Sequence, residues 1–214
     1  MNITLYGSTG QLGRVLLMHC LSAGHQTTTL LRRPFPDDDA HHGIKTVYGS
    51  GLDEKAVAQS LPENTDAVLF AVGMNRSSEN HLCSTMTETI LKTMPASARF
   101  VFCSCWSALF PGEKPSFLLR CARQYCRQTT PLLLQDKDAQ LALLAHHPEV
   151  NWCGIRPMRL VSGPSQEYSR GGFGFSPFFR TTYDDCAQAM MNLLPAKGTS
   201  HEAPFIRSIK STTH

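Results

Sequence analysis

Several sequence features that would assign the chain to a membrane, secreted or nucleic-acid-binding class are missing. No apolar run approaches the roughly 20 residues needed to cross a bilayer. The first residues, Met1 to Tyr6, include no basic leader followed by a long apolar stretch, so we expect a cytoplasmic protein without a secretory signal. Lysine and arginine do not cluster among aromatic residues, and the formal net charge is only +3. We therefore expect neither a membrane nor a nucleic acid as a partner.

The eight cysteines do not have the spacing of a disulfide framework or a zinc site. They are scattered and mostly lie in apolar sequence, which indicates free thiols. The pairs nearest to a metal-site spacing are Cys103-x-Cys105, Cys121-x4-Cys126, His41-His42 and His146-His147. Neither cysteine pair has the two-residue separation of zinc ligands, and adjacent histidines cannot both point to one face of an element. We expect no metal.

Strand-like and helix-like segments alternate along the 214 residues, a length that suits one domain with a sizeable core. Hydrophobic patterns predict strands at residues 3–6, 27–31, 46–48, 67–72, 99–104 and 152–156, with an edge strand at 204–209. Helical patterns cover residues 12–23, 53–61, 79–94, much of 115–146, and 183–194. Alternation of this kind predicts an α/β fold with a doubly wound parallel sheet, formed by a single domain over residues 1–214. An irregular segment at about 157–182 is expected on the substrate side.

A glycine-rich turn follows the first strand and opens the first helix. Its sequence is Gly7-Ser8-Thr9-Gly10-Gln11-Leu12-Gly13. Gly7 permits a tight turn, Gly10 lets the backbone approach a diphosphate, and Gly13 lets the helix pack closely on the sheet. The helix N-terminus offers free N–H groups and partial positive charge. This strand–turn–helix context predicts a dinucleotide-binding site.

The end of the second strand indicates which dinucleotide is preferred. An acidic side chain there would bind a ribose 2′-hydroxyl and repel a 2′-phosphate. This chain instead has Arg32-Arg33, and guanidinium groups form charge-assisted bonds with phosphate. The sequence therefore predicts NADP(H), with NAD(H) as the less favoured cofactor.

Four segments together resemble the NAD(P)H-binding atypical short-chain dehydrogenase/reductases. They are GSTGQLG with the strand and Arg that follow, AVLFAVG after Asp66, FVFCSC and WCGIRP. Within that group the NmrA-like proteins and the biliverdin-IX-beta/flavin reductases are the most similar in layout. The resemblance covers about residues 2–194 and implies an NAD(P)-binding Rossmann fold.

The resemblance also implies roles for individual residues. It places phosphate contacts at Thr9, Gly10, Gln11 and Leu12, beside the glycines Gly7 and Gly13. It places a 2′-phosphate contact at Arg32, with Arg33 next to it, and adenosine or ribose contacts at Ala71, Val72 and Gly73. On the nicotinamide side it places Cys103 and Ser104, with Pro157 closing the site.

Two departures from the family pattern affect the expected chemistry. Relatives carry Gly-Asp after the third strand, whereas Gly49-Ser50-Gly51 offers a hydroxyl, so adenine recognition at Ser50 and Gly51 is expected to be weaker or made by the backbone. The Tyr-x-x-x-Lys pair of typical short-chain dehydrogenases is also missing. Lys137 matches the Lys position, but Leu133 stands four residues earlier, and Tyr125 is followed four residues later by Thr129.

Without that pair, reduction of an ordinary ketone lacks a proton donor. A flavin, a quinone or a linear tetrapyrrole can accept hydride and take its proton from solvent. The sequence thus favours an NADPH-dependent reductase for a planar, conjugated small molecule, with Ser104 and Lys137 as candidate catalytic residues. The alternative is an NmrA-like regulator that senses NADP(H) without turnover. Aromatic residues at 166–180 are interpreted as a lid or wall, and monomer and homodimer both remain open.

Overall fold

The computed structural model describes residues 1–34, 44–74, 79–171, 173–195 and 201–209. Within these ranges the strands are β1 (Asn2–Tyr6), β2 (Gln26–Leu31), β3 (Ile44–Tyr48), β4 (Ala67–Phe70), β5 (Arg99–Cys103), β6 (Trp152–Pro157), β7 (Arg159–Val161), β8 (Glu167–Arg170), β9 (Arg180–Thr182) and β10 (Phe205–Ile209). The helices are α1 (Gln11–Ser22), α2 (Glu54–Ser60), α3 (Leu82–Thr93), α4 (Phe117–Thr129), α5 (Pro131–Ala145) and α6 (Tyr183–Met191). None of these helices is both long enough and apolar enough to cross a bilayer.

Eight strands form one sheet in the order β3-β2-β1-β4-β5-β6-β10-β8. β1 pairs in parallel with β2 on one side and β4 on the other, so Leu5 faces Thr29 and Leu69. The first six strands have the order of a dinucleotide-binding Rossmann sheet, and the order reverses between β1 and β4. The predicted doubly wound α/β fold is confirmed.

The central strands are buried on both faces, as their unbroken apolar sequences predict. Ile3 and Leu5 of β1 point into the core that α1 and α6 cover. Tyr6 points the other way, into the core beneath α2, α3 and α5. Because side chains alternate along a strand, successive residues of β1 and β4 pack against the two opposite layers of helices.

Three predicted elements differ in the structure. The stretch 204–209 is not an edge strand, because β10 pairs in parallel with β6 and antiparallel with β8. The segment 157–182 is not irregular throughout, since it holds β7, β8 and β9. The helical stretch 115–146 breaks at Thr130, whose φ of −142° and ψ of 54° are not helical, because the following Pro131 disfavours helical geometry in the residue before it.

Candidate dinucleotide-binding site

The glycine turn lies at the carboxyl end of β1, at the reversal of strand order. Gly7 has a φ of +87°, and a Cβ there would lie 2.7 Å from the carbonyl oxygen of Ala71. A Cβ on Gly13 would lie 1.9 Å from the carbonyl oxygen of Gly7. Larger residues would therefore push β1, α1 and the backbone after β4 apart. The packing reasons for Gly7 and Gly13 are visible in the structure.

The first turn of α1 presents main-chain donors. Gly10 is the N-cap, and the first bond within the helix runs from the Arg14 N–H to the Gly10 carbonyl, at 2.9 Å. The N–H groups of Gln11, Leu12 and Gly13 consequently have no acceptor within the helix. Thr9, Gly10 and Gln11 are exposed, and this first turn holds no acidic residue. Together with the helix dipole, this arrangement fits a diphosphate.

The side chain of Gln11 has a partner that the sequence did not indicate. Its Oε1 accepts a hydrogen bond from the hydroxyl of Tyr183, at the start of α6. Gln11, which is predicted to contact phosphate, is therefore hydrogen-bonded to α6.

The two arginines and the Ser50 turn lie at neighbouring strand ends. Arg32 and Arg33 are exposed at the end of β2, and the Leu31 carbonyl accepts the N–H of Gly49 at 2.9 Å, which joins the ends of β2 and β3. The hydroxyl of Ser50 accepts the Leu52 N–H at 3.2 Å, so it caps its own turn.

Gly51 packs against the side chain of Met86, whose Cε would lie 2.2 Å from an added Cβ. His41 and His42 lie outside the described residues.

Lys137 contacts the backbone that follows β4. Its Nζ donates to the Val72 carbonyl at 3.3 Å and to Gln140 Oε1 at 3.4 Å, and the side chain is buried. The thiol of Cys83 donates to the same carbonyl at 3.5 Å. Ala71, at the base of this segment, donates its N–H to the Tyr6 carbonyl, while Gly73 is exposed. Lys137 thus positions main chain that is predicted to contact the cofactor.

The charge of Lys137 depends on nearby sulfur atoms. Burial alone would lower the pKa of this ammonium, but the sulfurs of Cys83, Cys105 and Cys103 outweigh that effect and the pKa is raised. Lys137 therefore stays protonated at neutral pH.

Lys137 belongs to a buried polar face of α5 that sequence reasoning missed. The carboxylate of Asp136 accepts the N–H groups of Cys83 and Ser84, each at 2.8 Å, and so caps α3. Gln140 donates to the hydroxyl of Thr87 at 2.8 Å. The polar residues at positions 136 and 140 were the available signal, because an i, i+4 pair shares one face of a helix.

The residues predicted near the nicotinamide lie at the ends of β5 and β6. The Ser104 hydroxyl is buried and has no hydrogen-bond partner among the described residues, and the same is true of Ser8 in the glycine turn. Such a hydroxyl is usually completed by a ligand or water once its side chain turns outward. The thiol of Cys103 faces α6 instead, 3.9 Å from the Cys186 sulfur, so a cofactor contact by Cys103 would use its main chain. Pro157 is buried at the end of β6.

Trp106 and Phe175 form an aromatic wall that begins two residues after Ser104. Trp106 packs on Phe175 with ring centroids 4.7 Å apart. The guanidinium of Arg207 lies 4.8 Å from the ring centre of Phe173 and 4.0 Å from that of Phe179. Most aromatics of the 166–180 segment are thus packed against the body of the protein, while Phe178 is 87% exposed.

A second arginine organises the same side of the sheet. Arg156, in β6, forms an ion pair with Glu113 at 2.7 Å and donates to the Ala203 carbonyl at 2.6 Å. Its guanidinium stacks on Phe205, 4.1 Å from the ring centre. Neither this arginine nor Glu113 was predicted, because their partners lie more than 40 residues away in sequence.

Solved structures with the same fold include several oxidoreductases. A Lactobacillus casei protein superposes with a TM-score of 0.79 at 20% identity, covering 98% of this chain and 100% of that one. An anaerobillin reductase from Escherichia coli O157:H7 has a TM-score of 0.76 at 14% identity, with 97% of each chain covered. A candidate NADH-flavin reductase from Streptococcus pneumoniae TIGR4 has a TM-score of 0.77 at 16% identity, covering 98% of this chain and 100% of that one. Comparison with curated protein sequences gives no match.

The sequence also matches a family model described as NAD(P)H-binding, over residues 7–197. That span includes the glycine turn, the ends of β2, β4 and β5, and the whole aromatic wall. A nicotinamide dinucleotide is therefore the cofactor class of this fold. The chain belongs to the NAD(P)H-binding family.

Proposed function

We propose that the protein is an NADPH-dependent reductase that transfers hydride to a planar, conjugated small molecule such as a flavin, a quinone or a linear tetrapyrrole. The observation that carries the proposal is the first turn of α1, where three main-chain N–H groups lack helical acceptors beneath a turn with no room for a Cβ at Gly7 or Gly13. These groups would hold the diphosphate.

The preference for NADPH over NADH rests on Arg32 and Arg33. Both are exposed at the end of β2, beside β1 and its glycine turn. A 2′-phosphate at that point would gain charge-assisted hydrogen bonds from guanidinium groups. An acidic residue, which would favour NADH, is not found at either position.

The choice of a conjugated acceptor follows from the missing proton donor. Position 133 is a half-buried leucine, and the Lys137 ammonium is committed to Val72 and Gln140. Within the described residues, no tyrosine donates a hydrogen bond to Ser104 or Lys137. When bound, NADPH supplies the hydride from its nicotinamide ring. The chain's own residues orient the acceptor, and the aromatic wall of Trp106 and Phe175 offers a flat apolar surface for it.

The structural relatives support the same class of reaction. One of them is an anaerobillin reductase and another a candidate NADH-flavin reductase, and both share the fold over nearly their whole length.

The test is NADPH oxidation with FMN, menadione or biliverdin as acceptor, followed at the nicotinamide absorbance band. Saturable turnover with any of the three supports the reductase. Tight NADPH binding with no turnover on all three would overturn it in favour of an NADP(H)-sensing regulator of the NmrA-like kind. Failure of NADPH to bind would overturn both.

A matched pair of variants at the helix N-cap serves as the control. Gly10 has a φ of −74°, which other residues adopt, and an added Cβ would lie 3.3 Å from the Gly7 carbonyl oxygen, so only a small shift is needed. Both Asp and Asn are good N-caps. Gly10→Asp adds a negative charge where the diphosphate should lie, whereas Gly10→Asn adds nearly the same volume without charge. We expect both variants to fold and both to bind NADPH more weakly, because either side chain lies where the backbone approaches the diphosphate and caps N–H groups of the first turn. The Asp variant should lose more binding and turnover than the Asn variant, and that difference measures the effect of the added charge.

A further inference from the structure

An open groove of about 630 Å³ runs along α4, outside the dinucleotide site. We call it the α4 groove, and its lining includes Leu109, Pro115, Phe117, Arg120, Gln124 and Arg127. Its volume falls within the range of small-molecule sites. Its lining combines apolar side chains with guanidinium groups, which suits a ligand with both a ring and a charge.

The free charge of the α4 groove is positive. Residues 114–130 include no aspartate or glutamate. Arg123 is already neutralised, because its guanidinium pairs with the Asp138 carboxylate at 2.7 Å. Arg120 and Arg127 are exposed, and neither forms an ion pair with any described residue; Arg127 reaches only the amide oxygen of Gln124, at 3.4 Å. These two side chains are therefore available to an anionic ligand.

The α4 groove adjoins the predicted nicotinamide side of the sheet. Arg123, on its floor, donates to the Ser107 carbonyl. The Ser107 hydroxyl in turn contacts the Cys105 sulfur at 3.2 Å, and Cys105 follows Ser104 directly. The Leu109 N–H donates to Asp138, the partner of Arg123, at 2.9 Å. A chain of contacts thus connects the groove with the end of β5.

We propose that Arg120 and Arg127 bind an oxyanion, a phosphate or carboxylate, carried on a side arm of the acceptor whose ring is reduced. The inference rests on the proposed reductase function and narrows its substrate class to anionic conjugated molecules. Guanidinium groups suit either oxyanion, since both accept paired N–H donors. A second copy of the chain is a poor occupant, because it would bring one cationic helix against another.

The test compares FMN with riboflavin, which share one reducible ring and differ by a single phosphate. Charge-assisted hydrogen bonds contribute about 1.5–3 kcal/mol, which corresponds to roughly 10- to 100-fold in affinity. We expect Arg120→Glu and Arg127→Glu each to raise the KM for FMN by about 10-fold or more, and to leave the KM for riboflavin within about two-fold. Lys45→Glu, an exposed charge reversal on β3, should leave both KM values unchanged.

Each result has a defined meaning. Equal changes for FMN and riboflavin, or no change for either, would overturn the role of the α4 groove while the reductase stands. If neither flavin is turned over, flavin fluorescence titrations take the place of KM, and the same FMN-specific loss in the two variants is required. If the protein reduces a tetrapyrrole instead of a flavin, the same comparison is made between the tetrapyrrole with free carboxylates and its neutral dimethyl ester.

Discussion

Different kinds of contact stabilise the two halves of the molecule. In residues 2–103, which we call the cofactor half for its proposed role, the candidate site is built from main chain: glycines without room for a Cβ, N–H groups of α1 without helical acceptors, and strand ends in register. In residues 104–209, which we call the acceptor half for its proposed role, long side chains fix the described loops. Arg156 pairs with Glu113, and the Arg207 guanidinium packs against the rings of both Phe173 and Phe179. The first half tolerates few changes of shape, and the second depends on contacts between distant residues.

The largest loss of stability is expected at Gly13, where the backbone of α1 packs directly against the backbone of the glycine turn. Gly13→Val puts a Cβ against the Gly7 carbonyl, 1.9 Å away, so we expect a loss of more than about 3 kcal/mol in the free energy of unfolding, together with NADPH binding. Gly174→Val, in the acceptor half, meets no atom within 4 Å and should change stability little. Thermal and urea unfolding of both variants measure the difference. Similar losses in the two would remove the distinction between the halves.

Asp136 connects the halves, because it lies on α5 and caps α3. Asp136→Ala leaves two buried N–H groups, of Cys83 and Ser84, without an acceptor, and we expect a loss of about 2–3 kcal/mol. Asp53→Ala removes an exposed cap from α2, where Asp53 accepts the Lys55 N–H at 3.0 Å, and should cost about 1 kcal/mol. Urea denaturation compares the two. An equal cost would mean that burial adds nothing to the Asp136 cap.

The preference between dinucleotides tests the one part of the cofactor half that relies on side chains. We expect Arg32→Glu to raise the Kd for NADPH by about 10- to 100-fold and to change the Kd for NADH much less. Isothermal titration calorimetry with both nucleotides gives the values. Arg33→Glu, tested alongside, shows which of the two arginines contacts the 2′-phosphate. Equal losses for NADPH and NADH would remove the basis for preferring NADPH.

The smallest effect concerns a hydrogen bond between the halves. His19 of α1 contacts Asp184 of α6 at 2.8 Å, and this hydrogen bond lowers the pKa of Asp184 below its ordinary value of 3.8. A lowered folded-state pKa stabilises the fold above the ordinary value, and the contribution is lost as pH falls through the lowered one. Since both side chains are partly exposed, Asp184→Asn should cost less than about 1 kcal/mol at neutral pH.

The pH dependence of stability separates the contribution of the Asp184 carboxylate charge from other effects of the substitution. Thermal unfolding of the wild type and Asp184→Asn should differ at neutral pH and converge below the lowered pKa. A difference in Tm that persists at low pH would show that the carboxylate charge is not responsible.

Prediction from sequence was accurate where the signal was local. The strands β1 to β6 and the glycine turn all follow from neighbouring residues. β10 was predicted as a strand but misplaced at an edge, because nothing in residues 204–209 indicates that β8 pairs outside it. The buried polar face of α5 was missed for the same reason: its partners lie on α3.

The amino-acid sequence by itself determined the alternating strands and helices, the place of the glycine-rich turn and the family, since each depends on local spacing and on the steric needs of glycine. Only the tertiary structure decided that Lys137 contacts the main chain after β4, that Phe173, Phe175 and Phe179 pack on Arg207 and Trp106, and that α4 presents two arginines without an ion-pair partner among the described residues. Those outcomes depend on tertiary contacts between side chains that are distant in sequence, and residue spacing along the chain does not specify such contacts.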